Sequence, residues 1–188
     1  MKPPVYMISI SDNEISQYYK NLVLPSWKDY EVRHFEAITP KDLHKYDYLN
    51  FGLKHRLKGK VKVEFTETEK AVWYSHMECW VLARKEPIIV VEHDIQLIKK
   101  IDESIFENDM VCLAHSNRKN KLKLAGGAYY ITPAIAKYMT NDAKSKKPIY
   151  FNSDALIHNV CDKKGVWKHS HCFQIKDDNI GVTVDHNK

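Results

Sequence analysis

Two carboxylates follow an apolar run in the segment 85–98, "KEPIIVVEHDIQLI". The run "IIVV" leads directly into Glu92, His93 and Asp94, three side chains that are able to bind a metal ion. On an extended segment, the two-residue spacing of Glu92 and Asp94 places both carboxylates on the same side. There they can share one hard cation, Mn²⁺ or Mg²⁺, or a cation-bound diphosphate. The alternative is a polar turn after a buried strand, and composition alone does not exclude it.

The flanking segments predict the strands and helices that would hold these residues. Thr66 and Glu69 have the spacing of a capping box, and Thr132-Pro133 combines a Thr N-cap with proline at the first helical position. The patterns predict strands at 5–10, 30–38, 88–91 and 110–115, a β-leaning tail from Val166, and helices at 14–24, 66–85, from 132 onward and at 151–161. The stretches 41–64 and 116–124 are charged, and loops are predicted there.

Strands that alternate with helices predict an α/β sandwich with a mostly parallel central sheet. In such an open sheet, ligands bind in the crevice beyond the carboxyl ends of the strands. Glu92 and Asp94 stand at one of these ends.

Composition favours one domain over residues 1–188, with 44% hydrophobic residues to form a core and a net charge of +5. No apolar run approaches the roughly 20 residues that cross a bilayer, so no membrane insertion is expected. The four cysteines form no CxxC pair, and no secretory signal is recognisable. We therefore expect reduced thiols and a cytoplasmic location.

Two basic stretches, at 54–62 and 118–123, are candidates for contact with phosphate groups or with an acceptor. Tyr46, Tyr48, Phe51 and Phe65 lie around the first stretch, and such mixtures of basic and aromatic residues suit a nucleic-acid backbone. An ordinary solvated loop is the other interpretation of each stretch. The candidate contact residues are Lys54, Arg56, Lys58, Arg118 and Lys119.

The order of these motifs resembles glycosyltransferase family 25, which includes lipopolysaccharide-type sugar transferases. The segments that carry the resemblance are "VYMISI", "HFEAITP", "ETEKAVWYSHMECW", "IIVVEHD", "GGAYYITPAIAKYM" and "FNSDALI", in the family's order over about residues 5–160. Glu69, Ser75-His76 and Trp80 on the helix before "VVEHD" are the most specific part. His93 stands where the family has the middle Asp of its acidic motif.

The resemblance implies a GT-A fold, a Rossmann-like sandwich that binds a nucleotide-sugar. Glu92 and Asp94 would coordinate Mn²⁺ or Mg²⁺ on the donor diphosphate, which neutralises charge on the leaving group. Ser75, His76, Gly126 and Gly127 would lie near the donor, although a core position for His76 and a plain turn at the glycines explain these residues equally well.

For Asp154 the resemblance implies a general base that deprotonates an acceptor hydroxyl in an inverting displacement. N-capping of a helix is the alternative role for this residue. His171 and His186 are candidates for a third metal ligand or a diphosphate contact.

Small enzymes of tailed bacteriophages also resemble this family, and the acceptor that this resemblance implies is a hydroxymethylated base in DNA. Compact size, basic charge and the lack of a recognisable anchor favour this acceptor, for which the location would be the host cytoplasm. A lipopolysaccharide or other saccharide is the alternative. Two other classes stay open. One is a metal-dependent nuclease or phosphodiesterase that uses the same carboxylates and histidines, and the other is a non-catalytic DNA-binding protein.

Overall fold

The computed structural model describes residues 2–46, 56–58, 61–118, 121–144 and 153–175. The strands are β1 (Val5–Ser9), β2 (Val32–Glu36), β3 (Arg56–Lys58), β4 (Val61–Val63), β5 (Ile88–Glu92), β6 (Ile95–Leu97), β7 (Met110–Arg118), β8 (Lys121–Ile131) and β9 (Val166–Gln174). The α-helices are α1 (Glu14–Val23), α2 (Glu67–Ala83), α3 (Pro133–Lys144) and α4 (Ser153–Lys164). Short 3₁₀ helices cover Leu24–Trp27, Pro40–Lys45 and Glu103–Glu107.

The large sheet has seven strands in the order β2-β1-β5-β8-β7-β9-β6. β1 pairs parallel with both β2 and β5, and β7 pairs parallel with β9. β8 is antiparallel to β5 and to β7, and β6 is antiparallel to β9. Five strands therefore run in one direction and two run against it, which confirms the predicted mostly parallel sheet of an α/β sandwich.

Both faces of the sheet are covered, so β5 is buried on both sides. Ile88 and Val90 pack with α2, α3 and α4 in one core cluster, while Ile89 and Val91 pack with Trp27 and the α1 side in another. All four of these β5 side chains have no exposed surface. This double burial explains why β5 reads as an unbroken apolar run instead of an alternating one.

The helix predicted at 66–85 is confirmed as α2, and its beginning follows from the capping box. The Thr66 side chain accepts a hydrogen bond from the Glu69 backbone N–H, and the Glu69 carboxylate accepts one from the Thr66 N–H. Both bonds satisfy backbone donors that have no partner within the helix. The cap sets the phase of α2, which turns Trp73, His76 and Trp80 into the core.

The predicted basic loop at 116–124 is wrong for the residues that the structure describes there. Ser116 to Arg118 continue β7 and Lys121 to Leu124 belong to β8, in an antiparallel hairpin whose register pairs Arg118 with Lys121. Lysine has a low strand propensity, so local composition gives little sign of a strand that cross-strand pairing stabilises.

The predicted loop at 41–64 is wrong for the antiparallel pair of β3 and β4. β6 is a further difference, because no strand is predicted at 95–97. Three residues are too few for a periodic signal, and the strand is held by tertiary bonds. The indole N–H of Trp27 donates to the Ile95 carbonyl at 3.0 Å, and the Leu97 N–H donates to the Ser26 hydroxyl at 3.0 Å.

Within the described ranges, no helix combines the length and the apolar character needed to cross a bilayer. All four cysteines are buried free thiols.

Candidate active site

Glu92 and Asp94 diverge after β5. Glu92 is the last residue of the strand, but His93 and Asp94 form a turn, so the expected extended segment over 92–94 is wrong. Asp94 is 2% exposed, and its Oδ2 accepts a hydrogen bond of 2.9 Å from the Gln174 amide on β9. The Glu92 side chain keeps 23% of its surface exposed. The two carboxylates therefore stand in different surroundings, and Glu92 is the more accessible of them.

The Glu92 carboxylate is in contact with α2. His76 Nε2 lies 3.3 Å from Glu92 Oε1, and His76 Nδ1 lies 3.0 Å from the Tyr129 hydroxyl. Tyr129 also accepts a hydrogen bond of 2.9 Å from the Trp80 indole N–H. His76 is 1% exposed, as expected for a residue of the core. It also contacts Glu92, as expected for a residue near the predicted site.

Burial raises the pKa of Tyr129 well above its usual value, and nearby groups such as Cys79 and Glu92 add to this rise. The phenol is therefore a neutral hydroxyl at every physiological pH. It retains its proton as a hydrogen-bond donor.

Gly126 and Gly127 stand where β8 bulges. Cys112 of β7 pairs with Tyr129 and Ala114 pairs with Ala125, so a step of two residues on β7 matches a step of four on β8. Such bulges bend a strand and redirect its residues, and they are common beside active sites. The bulge lies next to the carboxyl end of β5, whose Val91 pairs with Ala128.

The two glycines make room for two carboxylates. A Cβ on Gly126 would lie 2.5 Å from Asp154 Oδ1, and a Cβ on Gly127 would lie 3.2 Å from Glu92 Oε2. These two separations, the two Cα–Cβ bonds and the spacing of about 3.8 Å between consecutive Cα atoms set an upper limit of roughly 13 Å on the distance between the Glu92 and Asp154 carboxylates. The glycine pair, predicted to permit the approach of a ligand, is in contact with these side chains.

Asp154 lies in the first turn of α4 and is exposed. Ser153 begins the helix, so Asp154 is inside the first turn, where the helix dipole favours a negative charge. The side chain reaches back over β8 toward Gly126. It is thus both a first-turn carboxylate and a group at the crevice.

Ser75 is 2% exposed, and the hydrogen bonds of its hydroxyl are local. The hydroxyl accepts from the Ile38 N–H at 2.9 Å and donates to the Ala71 carbonyl at 2.9 Å. It ties the segment after β2 to α2.

The structure describes only some of the remaining predicted site residues. His171 is a buried residue of β9, and its main-chain carbonyl accepts from the Ile98 and Lys99 N–H groups. Arg56 and Lys58 lie in β3, and Arg118 lies at the end of β7. His186, Lys54 and Lys119 lie outside the described residues.

Carboxylate oxygens are the ligands that Mg²⁺ and Mn²⁺ prefer. Glu92 is the accessible carboxylate of the predicted pair, whereas the buried Asp94 carboxylate is bonded to Gln174. The hydrogen bond from His76 orients Glu92 in the way that outer partners orient metal ligands. In the part of the chain that the structure describes, no three His, Cys, Asp or Glu residues are grouped to hold an ion.

Sequence reasoning missed Tyr129 and Gln174 as contacts of the site. Tyr129 follows the glycine pair by two residues, so strand periodicity could have placed it on the same face as Gly127. Gln174 left no signal, because its contact with Asp94 spans 80 positions of sequence.

Comparison with known proteins gives structural neighbours only. No family model and no curated protein matches the sequence. Among solved structures, A197 from STIV matches with a TM-score of 0.51 at 12% identity, over 94% of this chain and 87% of that one. A glycosyltransferase involved in glycosylation of the major capsid of PBCV-1 matches with a TM-score of 0.50 at 9% identity, over 94% of this chain and 95% of that one.

The apo structure of WbbM, a bifunctional glycosyltransferase, matches with a TM-score of 0.50 at 10% identity. The match covers 88% of this chain but 38% of WbbM. Together with the sheet order and the crevice at β5, these neighbours decide the fold. The chain has a GT-A-like fold. Identities of 9–12% establish this fold and no more, so membership of family 25 stays a prediction.

Proposed function

We propose that this protein is a glycosyltransferase that moves a sugar from a nucleotide-sugar donor to an acceptor hydroxyl. The observation that carries the proposal is the convergence of Glu92 and Asp154 on the Gly126–Gly127 bulge. The bulge lies beyond the carboxyl end of β5 in a GT-A-like fold, where open α/β sheets bind their ligands.

In the proposed reaction, Asp154 is the general base. Its exposed carboxylate takes the proton of the acceptor hydroxyl while the hydroxyl oxygen forms a bond to the anomeric carbon. The bond from that carbon to the diphosphate oxygen breaks, and the nucleoside diphosphate leaves with the electron pair. Attack opposite to the leaving group inverts the anomeric configuration.

Glu92 and Asp94 would hold the Mn²⁺ or Mg²⁺ ion, with water and donor phosphate oxygens completing its coordination. A bound ion would offset the charge that develops on the departing diphosphate. The donor side would be lined by Gly126, which lies against Asp154, and by Gly127 and His76, which contact Glu92. Ser75 would hold the segment after β2.

The proposed acceptor is a hydroxymethylated base in DNA, and such an acceptor goes with a cytoplasmic location. Support comes from the net charge of +5, from Arg56 and Lys58 in β3, and from Arg118 at the end of β7. A basic face neutralises phosphates and steers association with DNA. Sugar transfer to a saccharide and not to DNA would replace this part of the proposal.

The first experiment is a thermal-shift screen of nucleotide-sugars, each with and without Mn²⁺. A ligand that binds only the native state raises the melting temperature, and the shift reports its affinity. We expect a metal-dependent shift with one donor, followed by transfer of radiolabelled sugar from that donor to hydroxymethylated DNA. No shift with any donor would overturn the transferase proposal, and transfer only to a saccharide would overturn the DNA acceptor.

A further inference from the structure

The Trp80 indole, the Tyr129 hydroxyl and the His76 ring form a buried hydrogen-bonded chain that ends on the Glu92 carboxylate. Its three contacts are 2.9, 3.0 and 3.3 Å long. Trp80 and Tyr129 have no exposed surface, and His76 has 1%. Polar groups buried to this extent are rarely left without a partner, so we expect each hydrogen to be used within the chain.

The direction of the chain follows from what each group is able to donate. An indole N–H is a donor only, so Tyr129 accepts from Trp80. A carboxylate is an acceptor only, so the ring nitrogen facing Glu92 must carry a hydrogen. His76 is thus protonated on Nε2, and in a neutral ring Nδ1 is then an acceptor.

The Tyr129 hydroxyl completes the chain. Its single hydrogen points to His76 Nδ1, because its contact with Trp80 requires a lone pair. In the opposite tautomer, an Nε2 lone pair would face the Glu92 carboxylate and the phenol hydrogen would lose its acceptor. Every donor and acceptor on these contacts is satisfied in one arrangement only.

We propose that Tyr129, supported by Trp80, is a positioning residue that holds His76 in the Nε2–H tautomer and thereby orients Glu92. The bond to Oε1 turns the other oxygen, Oε2, toward Gly127 and the crevice. The consequence for sugar transfer rests on the function proposed above, but the tautomer itself does not.

The test of the tautomer is the ¹⁵N spectrum of the histidine rings, recorded over a range of pH. The His76 signals are assigned by their loss in His76→Gln. We expect the wild-type protein to show a hydrogen on Nε2 and a bare Nδ1. In Tyr129→Phe, which removes the hydrogen that Nδ1 accepts, we expect the Nδ1 signal to move. A hydrogen on Nδ1 in the wild type would overturn the inference.

The matched control is Tyr130→Phe. Tyr130 neighbours Tyr129 on β8 but packs in the opposite core cluster, and its hydroxyl donates to the Phe106 carbonyl at 3.4 Å. Met139→Leu is a second control, because it changes the same core cluster from α3 without removing a member of the chain. Both controls should leave the His76 spectrum unchanged.

Activity gives the second readout. Loss of an outer partner of a metal ligand typically lowers metal affinity or activity by about 10- to 100-fold, and we expect this loss of transfer in Tyr129→Phe. Both controls should stay within about twofold of wild type when assayed well below their melting temperatures. An active wild type with an equally active Tyr129→Phe would overturn the positioning role and leave the function standing. An inactive wild type that shows the expected tautomer would overturn the function and leave the chain standing.

Discussion

Asp154 Oδ1 lies 2.5 Å from the point that a Cβ on Gly126 would occupy, and the Asp154 Cα lies 3.0 Å from it. The start of α4 is therefore packed against a position of β8 that accepts no side chain. This contact brings a first-turn carboxylate of α4 to the end of the strand that carries Glu92.

Gly126→Ala should destabilise the protein and lower sugar transfer, because the new methyl group forces the Asp154 carboxylate and the α4 backbone away. Overpacking of this kind typically costs about 1–3 kcal/mol of unfolding free energy. Asp154→Ala removes the nearer clash, so the double variant should be more stable than the sum of the single effects predicts. Urea unfolding of the wild type, the two single variants and the double variant measures the coupling free energy between the two positions. Strictly additive losses of unfolding free energy would contradict the contact between Gly126 and Asp154.

Asp154→Asn should bind the donor as wild type does and lose turnover by about 100-fold or more, because the amide cannot accept the acceptor proton. Donor binding is measured by thermal shift and turnover by transfer of labelled sugar. Asp162→Asn, on an exposed position of the same helix, is the control. Unchanged turnover in Asp154→Asn would leave this residue with a structural role at the beginning of α4.

Glu92→Gln should abolish the Mn²⁺-dependent part of the thermal shift with a nucleotide-sugar, while the protein stays folded. The amide oxygen still accepts the hydrogen bond from His76, but the charge that attracts the ion is gone. Glu103→Gln, at an exposed position of a 3₁₀ helix, is the control. A metal-dependent shift of wild-type size in Glu92→Gln would remove Glu92 from the metal site.

Asp94→Asn separates a metal role from a structural one, since its amide oxygen still accepts from Gln174. We expect an intact fold and loss of transfer. Gln174→Ala removes the partner and keeps the Asp94 charge, so it should retain more activity than Asp94→Asn. The reverse order of activities, with both proteins folded, would make Asp94 a tether between the turn and β9.

Trp27→Phe should lower the free energy of unfolding by about 1–3 kcal/mol, the usual cost of a buried polar group that loses its hydrogen bond. The Ile95 carbonyl would lose its indole donor in a fully buried site next to the turn that holds Asp94. Urea unfolding measures the change. A loss well below about 1 kcal/mol in Trp27→Phe would argue against the importance of this hydrogen bond.

Some helices and strands are predictable from sequence motifs that span only a few residues. The Thr66–Glu69 capping box sets the beginning of α2, Thr132-Pro133 sets that of α3, and the run "IIVV" marks a strand buried on both faces. Alternation of strands and helices was enough to predict the layered α/β architecture, because each element must cover the apolar face of another.

The three-residue strand β6 and the β7–β8 hairpin depend on contacts between residues that are farther apart in the sequence. A short strand and a lysine-rich strand have little intrinsic preference, so both depend on pairing partners and on bonds such as Trp27 to Ile95. The turn at His93 and Asp94 belongs to the same class, because Asp94 is held by Gln174 on β9.

The sequence by itself determined which side chains are chemically capable: Glu92, Asp94 and Asp154 are carboxylates beside strand and helix ends. Only the tertiary structure decided what surrounds each of them. Asp154 and Glu92 lie against adjacent glycines of β8, while the Asp94 carboxylate is bonded to Gln174 on β9. The physical reason is that a bulge in β8 and the packing of α4 place these groups, and both depend on contacts between residues far apart in the chain.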